Sequence, residues 1–401
     1  MKAIPPAQQQ TQLRGHLAAR SAVEPTSPPV SSLLSTKRTP SAIVYCEAAF
    51  ATADGKTANG LVRHSERYRI LSVIDSEKAG LDAGTVLDDT PNAIPIYRDL
   101  PEALRMSPTL PDYFIFGMAP ASGMLSSQER TLILDAMSRG INIVNGLHEF
   151  LNEDPVFAAA ALAGNVEIFD VRRPPAKKDL HMFTGEVNQI ACPVIAVMGT
   201  DCAIGKRTTA TVLTCALNES GLKAVMIGTG QTGMIQGARY GVALDSIPSQ
   251  FCAGELEATI LKAYAIEKPD IILVEGQGAL SHPAFSTSAF ILRGACPDGV
   301  IVQHAPGRPH RCDFPRLPMP EINAEIALIE LFAATRVIGV TINHEHMCDA
   351  EIDACIKQYG EDLNIPATDA LSRAPEHLVE MVLGAFPALA SKLAPRQGAA
   401  A

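Results

Sequence analysis

Short apolar runs rich in β-branched residues alternate along this chain with longer segments in which apolar residues recur at helical spacing. The short runs are typical of buried strands, and the longer segments are typical of amphipathic helices. Strands that alternate with helices predict parallel sheets with right-handed crossovers, and hence an α/β protein. The predicted strands lie at 41–50, 68–76, 112–118, 141–147 and 166–173 in the first part of the chain, and at 194–198, 223–228, 270–274, 299–303 and 336–342 in the second.

The two groups of strands divide the chain into two domains with a tail at each end. We predict a disordered tail at 1–40, a first domain at 41–173, a linker at 174–190, a second domain at 191–390 and a flexible tail at 391–401. The first tail is rich in Pro, Ser, Gln and Ala, and this composition cannot build a core. Its basic, acid-poor composition also fits an organellar transit peptide, but a simple extension is the favoured interpretation.

Composition narrows the classes of function. The chain has 401 residues, of which 47% are hydrophobic and 19% charged, enough for two ordinary globular cores. A net charge of -10 argues against nucleic-acid binding, and no apolar run is long enough to cross a bilayer. Nine scattered cysteines without a C-x-x-C pair indicate reduced thiols and a cytoplasmic location. We expect a small-molecule substrate, no nucleic-acid or membrane partner, and a homo-oligomer.

The most specific motif is a glycine-bounded loop that follows the strand at 194–198 and opens a helix, which is the context of a phosphate-binding loop. Backbone amides and the helix N-terminus would bind anionic oxygens, and a lysine would neutralise their charge. The loop is one residue longer than G-x-x-x-x-G-K-[ST], and an arginine replaces the hydroxyl after the lysine. The predicted cofactor-binding residues are Gly199, Thr200, Asp201, Cys202, Gly205, Lys206, Arg207, Thr208 and Thr209.

A second motif, "VEGQGALSHP", follows the predicted strand at 270–274. It places Glu275 at the carboxyl end of a parallel strand, where such sheets bind ligands. That carboxylate could hold Mg²⁺ beside a phosphate or accept a proton. His282 lies in the same loop and is an alternative proton acceptor, because an unperturbed histidine titrates near neutral pH.

Two other segments that follow predicted strands carry polar side chains suited to an anionic substrate. The segment at 226–241 has five glycines, which let a ligand approach the backbone closely. The segment at 303–315 is rich in arginine, whose forked donors suit carboxylates and phosphates. The predicted substrate-binding residues are Gln231, Arg239, Arg308 and Arg311, and His304 is a further candidate for catalysis.

Metal and dinucleotide sites have weaker support. His344 and His346 alternate in one loop, but no set of Cys and His completes a metal site, so none is predicted. The first domain has a Rossmann-like layout without G-x-G-x-x-G, although its polar run at 54–67 is denser than a loop requires. The predicted fold class is therefore α/β with two doubly wound domains: an N-terminal Rossmann-like domain and a C-terminal P-loop domain with a mostly parallel sheet.

The second domain resembles the P-loop fold of dethiobiotin synthetase, since "GTDCAIGKRT" and "VEGQGAL" are similar to that family's GTDTxVGKT and VEGAGGL. Residues 42–370 more closely resemble the family of DgcN-type D-glutamate N-acetyltransferases. The motifs that carry this resemblance are "DGKTANGLVRHSERY", "SVIDS", "FTGEV", "GTDCAIGKRTT", "GTGQTG", "VEGQGALSHP" and "QHAPGR". A segment at 119–125, "APASGML", departs from the expected glycine-rich pattern.

The resemblance implies an N-acetyltransferase that moves acetyl from acetyl-CoA to the amino group of an acidic amino acid. D-glutamate would give N-acetyl-D-glutamate, in D-amino-acid catabolism. The arginine after the loop lysine favours a phosphate-rich ligand that is held rather than hydrolysed, as coenzyme A would be. His282 is then the favoured base, and Glu275 its orienter or a ligand on the phosphate side.

Two alternatives of different classes stay open from the sequence. The dethiobiotin-synthetase resemblance implies an ATP- and Mg-dependent ligase, with Thr208 and Glu275 on the metal. A non-enzymatic nucleotide sensor would use the same loop without a reaction.

Overall fold

The computed structural model describes residues 38–120, 122–312 and 314–393. Most of the predicted N-terminal tail, with its transit-peptide interpretation, and most of the predicted C-terminal tail lie outside the described residues. Of the predicted first tail, residues 38–40 are described. Arg38 forms an ion pair with Asp112 at 2.8 Å, which joins this segment to the first domain.

The first domain is built on a six-stranded sheet in which every pairing is parallel, with strand order β3-β2-β1-β4-β5-β6. This order runs outward from the middle on each side in turn, as in a doubly wound Rossmann fold. The strands are β1 (Ser41–Tyr45), β2 (Arg69–Ile74), β3 (Ile96–Tyr97), β4 (Tyr113–Phe116), β5 (Asn142–Asn145) and β6 (Ile168–Asp170). The helices are α1 (Lys56–Arg63), α2 (Ala83–Asp88), α3 (Leu100–Met106), α4 (Ser127–Ser138) and α5 (Pro155–Gly164).

The second domain is built on a seven-stranded parallel sheet with strand order β15-β14-β11-β7-β10-β8-β9. Its strands are β7 (Val194–Gly199), β8 (Ala224–Gly228), β9 (Tyr240–Gly241), β10 (Ile271–Glu275), β11 (Gly299–His304), β14 (Val337–Ile342) and β15 (Ala367–Asp369), and β12 (His310–Arg311) and β13 (Phe314–Pro318) form a separate antiparallel ribbon. The helices are α6 (Lys206–Glu219), α7 (Gln231–Gln236), α8 (Ser249–Glu267), α9 (Thr287–Ala295), α10 (Ile322–Ala333), α11 (Asp349–Leu363) and α12 (Glu376–Ala385).

The central strands are apolar throughout because both faces of the second sheet are covered. Successive residues of a strand point to opposite faces. In β10, Ile272 and Val274 therefore join one hydrophobic cluster while Ile271 and Leu273 join another. The predicted fold class of two doubly wound, mostly parallel α/β domains is confirmed, and each predicted strand has a counterpart in the structure.

The two domains meet where α1 packs on α7. The Thr57 hydroxyl lies 2.8 Å from the Thr232 hydroxyl, and both side chains are buried. The Gln236 side-chain amide donates to the carbonyl of Gly60 at 2.6 Å and to that of His64 at 2.9 Å. These bonds cap the carbonyl end of α1, so helices from both domains share one hydrogen-bonded contact.

An ion pair between a buried arginine and a partly exposed aspartate makes a second contact between the domains. The Arg172 guanidinium of the first domain lies 2.9 Å from an Asp245 carboxylate oxygen of the second, and Arg172 also donates to the Gly146 carbonyl. Its residue surface is only 8% exposed, so leaving this charge unpaired would cost several kcal/mol. No helix in the described part of the chain is long and apolar enough to span a membrane.

Helix α8 packs so closely on the segment before β7 that one of its glycines tolerates no side chain. A Cβ on Gly254 would lie 2.3 Å from the His181 carbonyl oxygen and 2.6 Å from the Phe183 nitrogen. We expect Gly254→Ala to lower the free energy of unfolding by about 1–3 kcal/mol, because backbone atoms must move apart. Urea unfolding monitored by circular dichroism measures this change.

Gly360 supplies a matched control, since it also lies within a helix. A Cβ there would meet only the Ile365 carbonyl oxygen, at 3.9 Å. Gly360→Ala should stabilise the protein by up to about 1 kcal/mol through helix propensity. Equal effects of the two substitutions would contradict the tight packing of α8.

Candidate functional site

The predicted phosphate-binding loop, residues 199–209, is called the phosphate-type loop below. It lies at one edge of the second sheet, where four neighbouring strands end. The carboxyl ends of β11, β7, β10 and β8 carry, in that order, His304, Gly199, Glu275 and Gly228. The loop connects β7 to α6. Because ligands of open parallel sheets bind at this edge, the sequence motifs are gathered where a ligand is expected.

Two glycines shape the loop for different reasons. A Cβ on Gly199 would lie 2.8 Å from the Gln303 carbonyl oxygen, so the strand and its neighbour approach too closely for a side chain. Gly205 has φ of 102°, in the left-handed region that glycine adopts without strain. It directly precedes Lys206, the first residue of α6.

The loop presents a series of backbone donors that the protein does not use. Among the described residues, no acceptor binds the amide hydrogens of residues 203–208, which run from the loop into the first turn of α6. The first amides of a helix lack intrahelical partners, and together with the helix dipole they favour an anion. Residues 203–208 therefore form a cradle suited to phosphate oxygens.

Lys206 lies inside this loop and is 6% exposed. Its ammonium group donates a hydrogen bond back to the Asp201 carbonyl. The pKa of Lys206 is lowered to about 8, chiefly by burial and also by the nearby charge of Lys56 from the first domain. An anion bound by the loop would oppose both effects, since it stabilises the charged form.

Asp201 is fully buried, and its carboxylate joins the loop to the segment that follows β11. One oxygen, Oδ2, accepts from the Cys312 amide at 2.7 Å and from the Arg308 guanidinium at 3.0 Å. The other, Oδ1, lies 3.7 Å from His282 Nε2 and 3.9 Å from Arg311 Nη1, beyond hydrogen-bond distance. A buried carboxylate needs such compensation, so these groups fix the loop in one conformation.

Arg308 uses all of its donors to hold the loop. Its guanidinium donates twice to Glu345, at 2.5 and 2.9 Å, and to Asp201 at 3.0 Å. It also donates to the carbonyls of Cys202 at 2.9 Å and Ala203 at 3.2 Å. A guanidinium has five N–H donors. Arg308 is therefore a clamp on the loop in this conformation, and has no donor left for a substrate carboxylate.

Arg311 is also occupied within the protein. It donates to the Thr200 carbonyl at 3.2 Å and to the Ser281 hydroxyl at 2.8 Å. Ser281 in turn is held by the buried carboxylate of Glu325, which also accepts from the Leu280 amide at 2.6 Å. This chain of bonds joins the phosphate-type loop to the loop that carries His282.

The buried His282 ring is fixed by its neighbours. It stacks on Phe285 with centroids 4.7 Å apart, and its Nδ1 accepts from the amides of Ala284 at 3.2 Å and Phe285 at 3.3 Å. An Nδ1 that accepts leaves the hydrogen of a neutral imidazole on Nε2. That hydrogen faces Asp201 Oδ1 and, at 3.9 Å, Cys202 Sγ.

The ligand-type atoms of Asp201, Cys202 and His282 all lie within 4.8 Å of one another, which is a spacing a metal ion could use. A metal-binding imidazole, however, donates its second N–H to an acceptor. Here the second nitrogen of His282 faces two backbone donors. The orientation of the ring therefore disfavours metal coordination through Nε2.

His304 and Gln303 at the end of β11 support the other side of the loop. His304 Nδ1 lies 2.8 Å from the Thr200 hydroxyl, and burial lowers the pKa of His304 to about 4. Gln303 accepts from the Thr209 hydroxyl at 2.6 Å and from the Thr341 hydroxyl. His304 is thus neutral at pH 7, and a base with so low a pKa is a weak one.

Glu275 lies away from His282, beside α7. Its carboxylate accepts from the Thr229 amide at 3.0 Å, and a Cβ on Gly233 would lie 2.4 Å from it. Burial raises the pKa of Glu275, while the positive charge of Arg207 acts in the opposite direction. The charges of Glu275 and Arg207 therefore stabilise each other, whereas Asp201 is the carboxylate nearest to His282 Nε2 among those described.

Arg207 is the residue that sets this loop apart. Its guanidinium lies against α1 of the first domain, because a Cβ on Gly60 would come within 2.6 Å of Nη2. Burial lowers the pKa of Arg207, and Glu275 is the charge that stabilises it. Arg207 forms no hydrogen bond or ion pair with any described residue, so its N–H donors are not used within the described part of the protein.

The remaining predicted substrate residues lie elsewhere. Gln231 is buried at the start of α7 and packs on Gly146 of the first domain, where a Cβ would lie 3.2 Å from its Cγ. Arg239 forms an ion pair with Glu267 at the outer side of the sheet. Neither contacts the phosphate-type loop.

Sequence reasoning missed Gln303, Glu325 and the part played by α1. Gln303 and Glu325 each lie within an apolar stretch of sequence. A polar residue in such a stretch indicates a buried group that has a partner within the protein. The dense polar run at 54–67 was a usable signal for α1.

Comparison with known proteins gives relatives along most of the chain. The chain is 29% identical over 276 residues to a D-glutamate N-acetyltransferase from Tritonibacter scottomollicae, which covers 66% of this chain and 79% of the relative. It is 28% identical over 274 residues to a protein of the same name from Pseudoalteromonas sp., covering 66% and 80%. A crystal structure of a DUF1611 family protein from Anabaena variabilis ATCC 29413 superposes with a TM-score of 0.79 at 29% identity, covering 86% of this chain and 99% of that one.

Two family models match consecutive parts of the chain. Residues 76–174 match the DUF1611_N Rossmann-like domain, and residues 181–379 match the DUF1611_C P-loop domain, both described as domains of unknown function. The observed strand orders agree with both descriptions. The chain therefore belongs to the DUF1611 family, with its N-terminal Rossmann-like domain and its C-terminal P-loop domain.

Proposed function

We propose that this protein is an N-acetyltransferase that moves the acetyl group of acetyl-CoA to the amino group of D-glutamate. The names of the relatives support transfer of an acetyl group, and the choice of D-glutamate as the acceptor is taken from those names. The structural observation that carries the proposal is Arg207, which replaces the metal-binding hydroxyl of a nucleotide-hydrolysing loop and forms no hydrogen bond or ion pair with a described residue.

The charge of Arg207 favours a ligand that is held without Mg²⁺. In P-loop enzymes that cleave ATP, the Ser or Thr after the lysine binds Mg²⁺ together with an acidic side chain. Here a fixed cation stands at that position, and its charge already stabilises the carboxylate of Glu275, the acid that would otherwise be available for a metal. A second cation would meet repulsion there, whereas a phosphate would gain a charge-assisted hydrogen bond.

The loop fits the pyrophosphate of coenzyme A. The unused amides of residues 203–208 would bind its oxygens, and Lys206 and Arg207 would neutralise their charge. Acetyl-CoA would supply the activated acetyl group: the amide bond forms as the thioester breaks, and coenzyme A leaves as a thiol. The chain's own task is to position both substrates and to receive the ammonium proton of the amino acid.

Several cationic side chains are already bonded to protein groups, which leaves fewer that could bind the carboxylates of the amino acid. Arg308 and Arg311 are committed to the loops, and Arg239 is committed to Glu267. The exposed Lys56 begins α1 and forms no ion pair with a described residue, yet it is close enough to lower the pKa of Lys206. We therefore add Lys56 to the residues that bind the acidic substrate.

His282 stays the proposed base, and the structure sets a condition for that role. Nε2 can accept a proton only in the tautomer that carries its hydrogen on Nδ1. Nδ1 now faces the amides of Ala284 and Phe285, so the loop must shift for that tautomer to form. Without such a shift His282 keeps its hydrogen on Nε2, facing Asp201, and cannot act as a base.

The proposed activity is tested by incubating the protein with D-glutamate and acetyl-CoA. We expect release of free thiol, measured with a thiol reagent, and formation of N-acetylglutamate, measured by mass spectrometry. Because Arg207 takes the place of the metal ligand, EDTA should leave the rate unchanged. L-glutamate serves as the control for the enantiomer.

Mg-ATP in place of acetyl-CoA tests the competing ligase. Phosphate release that depends on D-glutamate or another carboxylate, with no thiol release from acetyl-CoA, would contradict the transferase. Tight binding of a nucleotide without either product would indicate a sensor.

The lowered pKa of Lys206 predicts how ligand affinity changes with pH. In the free protein Lys206 loses its proton near pH 8, so above that pH the binding of a phosphate requires proton uptake. We expect the affinity for coenzyme A, measured by calorimetry, to fall by up to about tenfold per pH unit above pH 8. Phosphate itself is fully ionised there.

Lys206→Ala is the matched control for that measurement. It should weaken binding by about 10- to 150-fold at pH 7.5, the usual cost of one charged hydrogen bond. It should also remove the pH dependence above pH 8. A wild-type affinity that stays constant to pH 9.5 would show that Lys206 does not contact the phosphates.

His282→Ala separates a base from a positioning residue. If His282 is the base, kcat falls by about 10²–10⁴-fold with little change in KM. The residual rate then rises with pH as the free amine becomes available. A residual rate that is flat with pH, together with a raised KM for acetyl-CoA, would show that His282 acts only by packing beside the phosphate-type loop.

A further inference from the structure

A cavity of about 390 Å³ lies between α1 of the first domain and α6 of the second. This volume is in the range of small-molecule sites. Residues of both domains line it, and Arg207 and Thr208 lie at the end nearest the phosphate-type loop. A ligand whose phosphates rest on residues 203–208 can therefore extend from the loop into this cavity.

The walls of the cavity differ in chemistry. Val212 and Ala216 on α6, with Leu371 and Pro375 near the start of α12, form an apolar side. An apolar wall of this kind suits a flat aromatic ring of a ligand, because the wall shields the ring from water.

Two guanidinium groups line the cavity near the loop. Arg63 from α1 joins Arg207 from α6, and His64, the residue after α1, lies beside them. Arg63 directs Nε and Nη2 to Asp88, at 2.9 and 2.6 Å, while its Nη1 makes no hydrogen bond with a described residue. Two guanidinium groups with unused donors suit a doubly charged anion, because phosphate oxygens accept several such bonds.

Among the acids near the cavity, only Glu219 lines it, twelve residues beyond Arg207, or about 18 Å along a helix. Asp88 pairs with Arg63, and the charge of Glu275 stabilises Arg207, but both acids lie outside the lining. Glu66 also lies outside the lining, 3.3 Å from His64 Nε2. The guanidinium groups therefore line the end near the loop, and the lining acid lies at the other end.

We propose that this cavity binds the 3′-phosphoadenosine part of coenzyme A, with the adenine against the apolar wall and the 3′-phosphate between Arg63 and Arg207. The inference rests on the proposed function, since it names the part of the co-substrate that the interdomain cavity recognises. It also gives the first domain a role, which is to supply Arg63 and thereby distinguish coenzyme A from ligands without a 3′-phosphate.

The test compares the affinities of coenzyme A and 3′-dephospho-coenzyme A by isothermal titration calorimetry. We expect the wild-type protein to bind coenzyme A at least tenfold more tightly. Arg63→Gln should remove most of that preference and leave the affinity for 3′-dephospho-coenzyme A within twofold of wild type. Arg105→Gln is the matched control, because Arg105 is an exposed first-domain arginine on α3 whose side chain is 69% exposed. It should change neither affinity.

Equal wild-type affinities for the two compounds would overturn the inference, as would an Arg63→Gln variant that weakens both to the same extent. Failure of the proposed function has a different signature. A protein that prefers coenzyme A but transfers no acetyl group to D-glutamate would keep the cavity assignment and refute the reaction. A protein that acetylates D-glutamate equally well from acetyl-CoA and its 3′-dephospho form would keep the reaction and refute the cavity assignment.

Discussion

The conformation of the phosphate-type loop depends on one buried carboxylate, that of Asp201. A charge with no exposure to water must be compensated inside the protein, and here an arginine and a backbone amide supply the hydrogen bonds. Both partners come from the segment after β11, so the loop is held against a neighbouring strand rather than by its own residues. The amides of 203–208 can then point outward without being drawn into alternative hydrogen bonds. This rigidity matters because a preorganised anion site spends little of its binding energy on ordering the loop.

Much of the fold could be predicted because it depends on periodicity and local order. Apolar runs at regular intervals identified the strands that carry the two sheets, and the glycine-bounded motif located the edge where their ends meet. Among the strands that escaped prediction, β3, β9 and β12 have two residues each and are too short to leave a periodic signal. The prediction of one Rossmann-like and one P-loop domain was confirmed. It could be made because the alternation of strands and helices determines that the sheet is parallel.

The composition of the site could be predicted more readily than the roles within it. Arg308 and Arg311 were expected to bind substrate, and the structure places both under the loop with their donors in use. The sequence shows which charged residues follow a strand. Whether such a residue binds a ligand or another part of the protein depends on partners that are distant in sequence, as Glu345 is from Arg308 by 37 residues. The same limit applies to α1. Nothing in the first domain's sequence indicates that Gly60 would touch Arg207, because that contact joins two separate folds.

The contact between Gly60 and Arg207 also limits how the sequence can change. A side chain at position 60 would collide with the guanidinium, whereas a short residue at position 207 would leave space between α1 and α6. The atoms that a Cβ at position 60 would meet are the terminal atoms of a flexible side chain, so the guanidinium can move aside rather than the backbone. A larger residue at position 60 would therefore leave the two helices in place but displace the Arg207 guanidinium from its present position. Residue 60 of the first domain thus helps to set where the cation of the second domain lies.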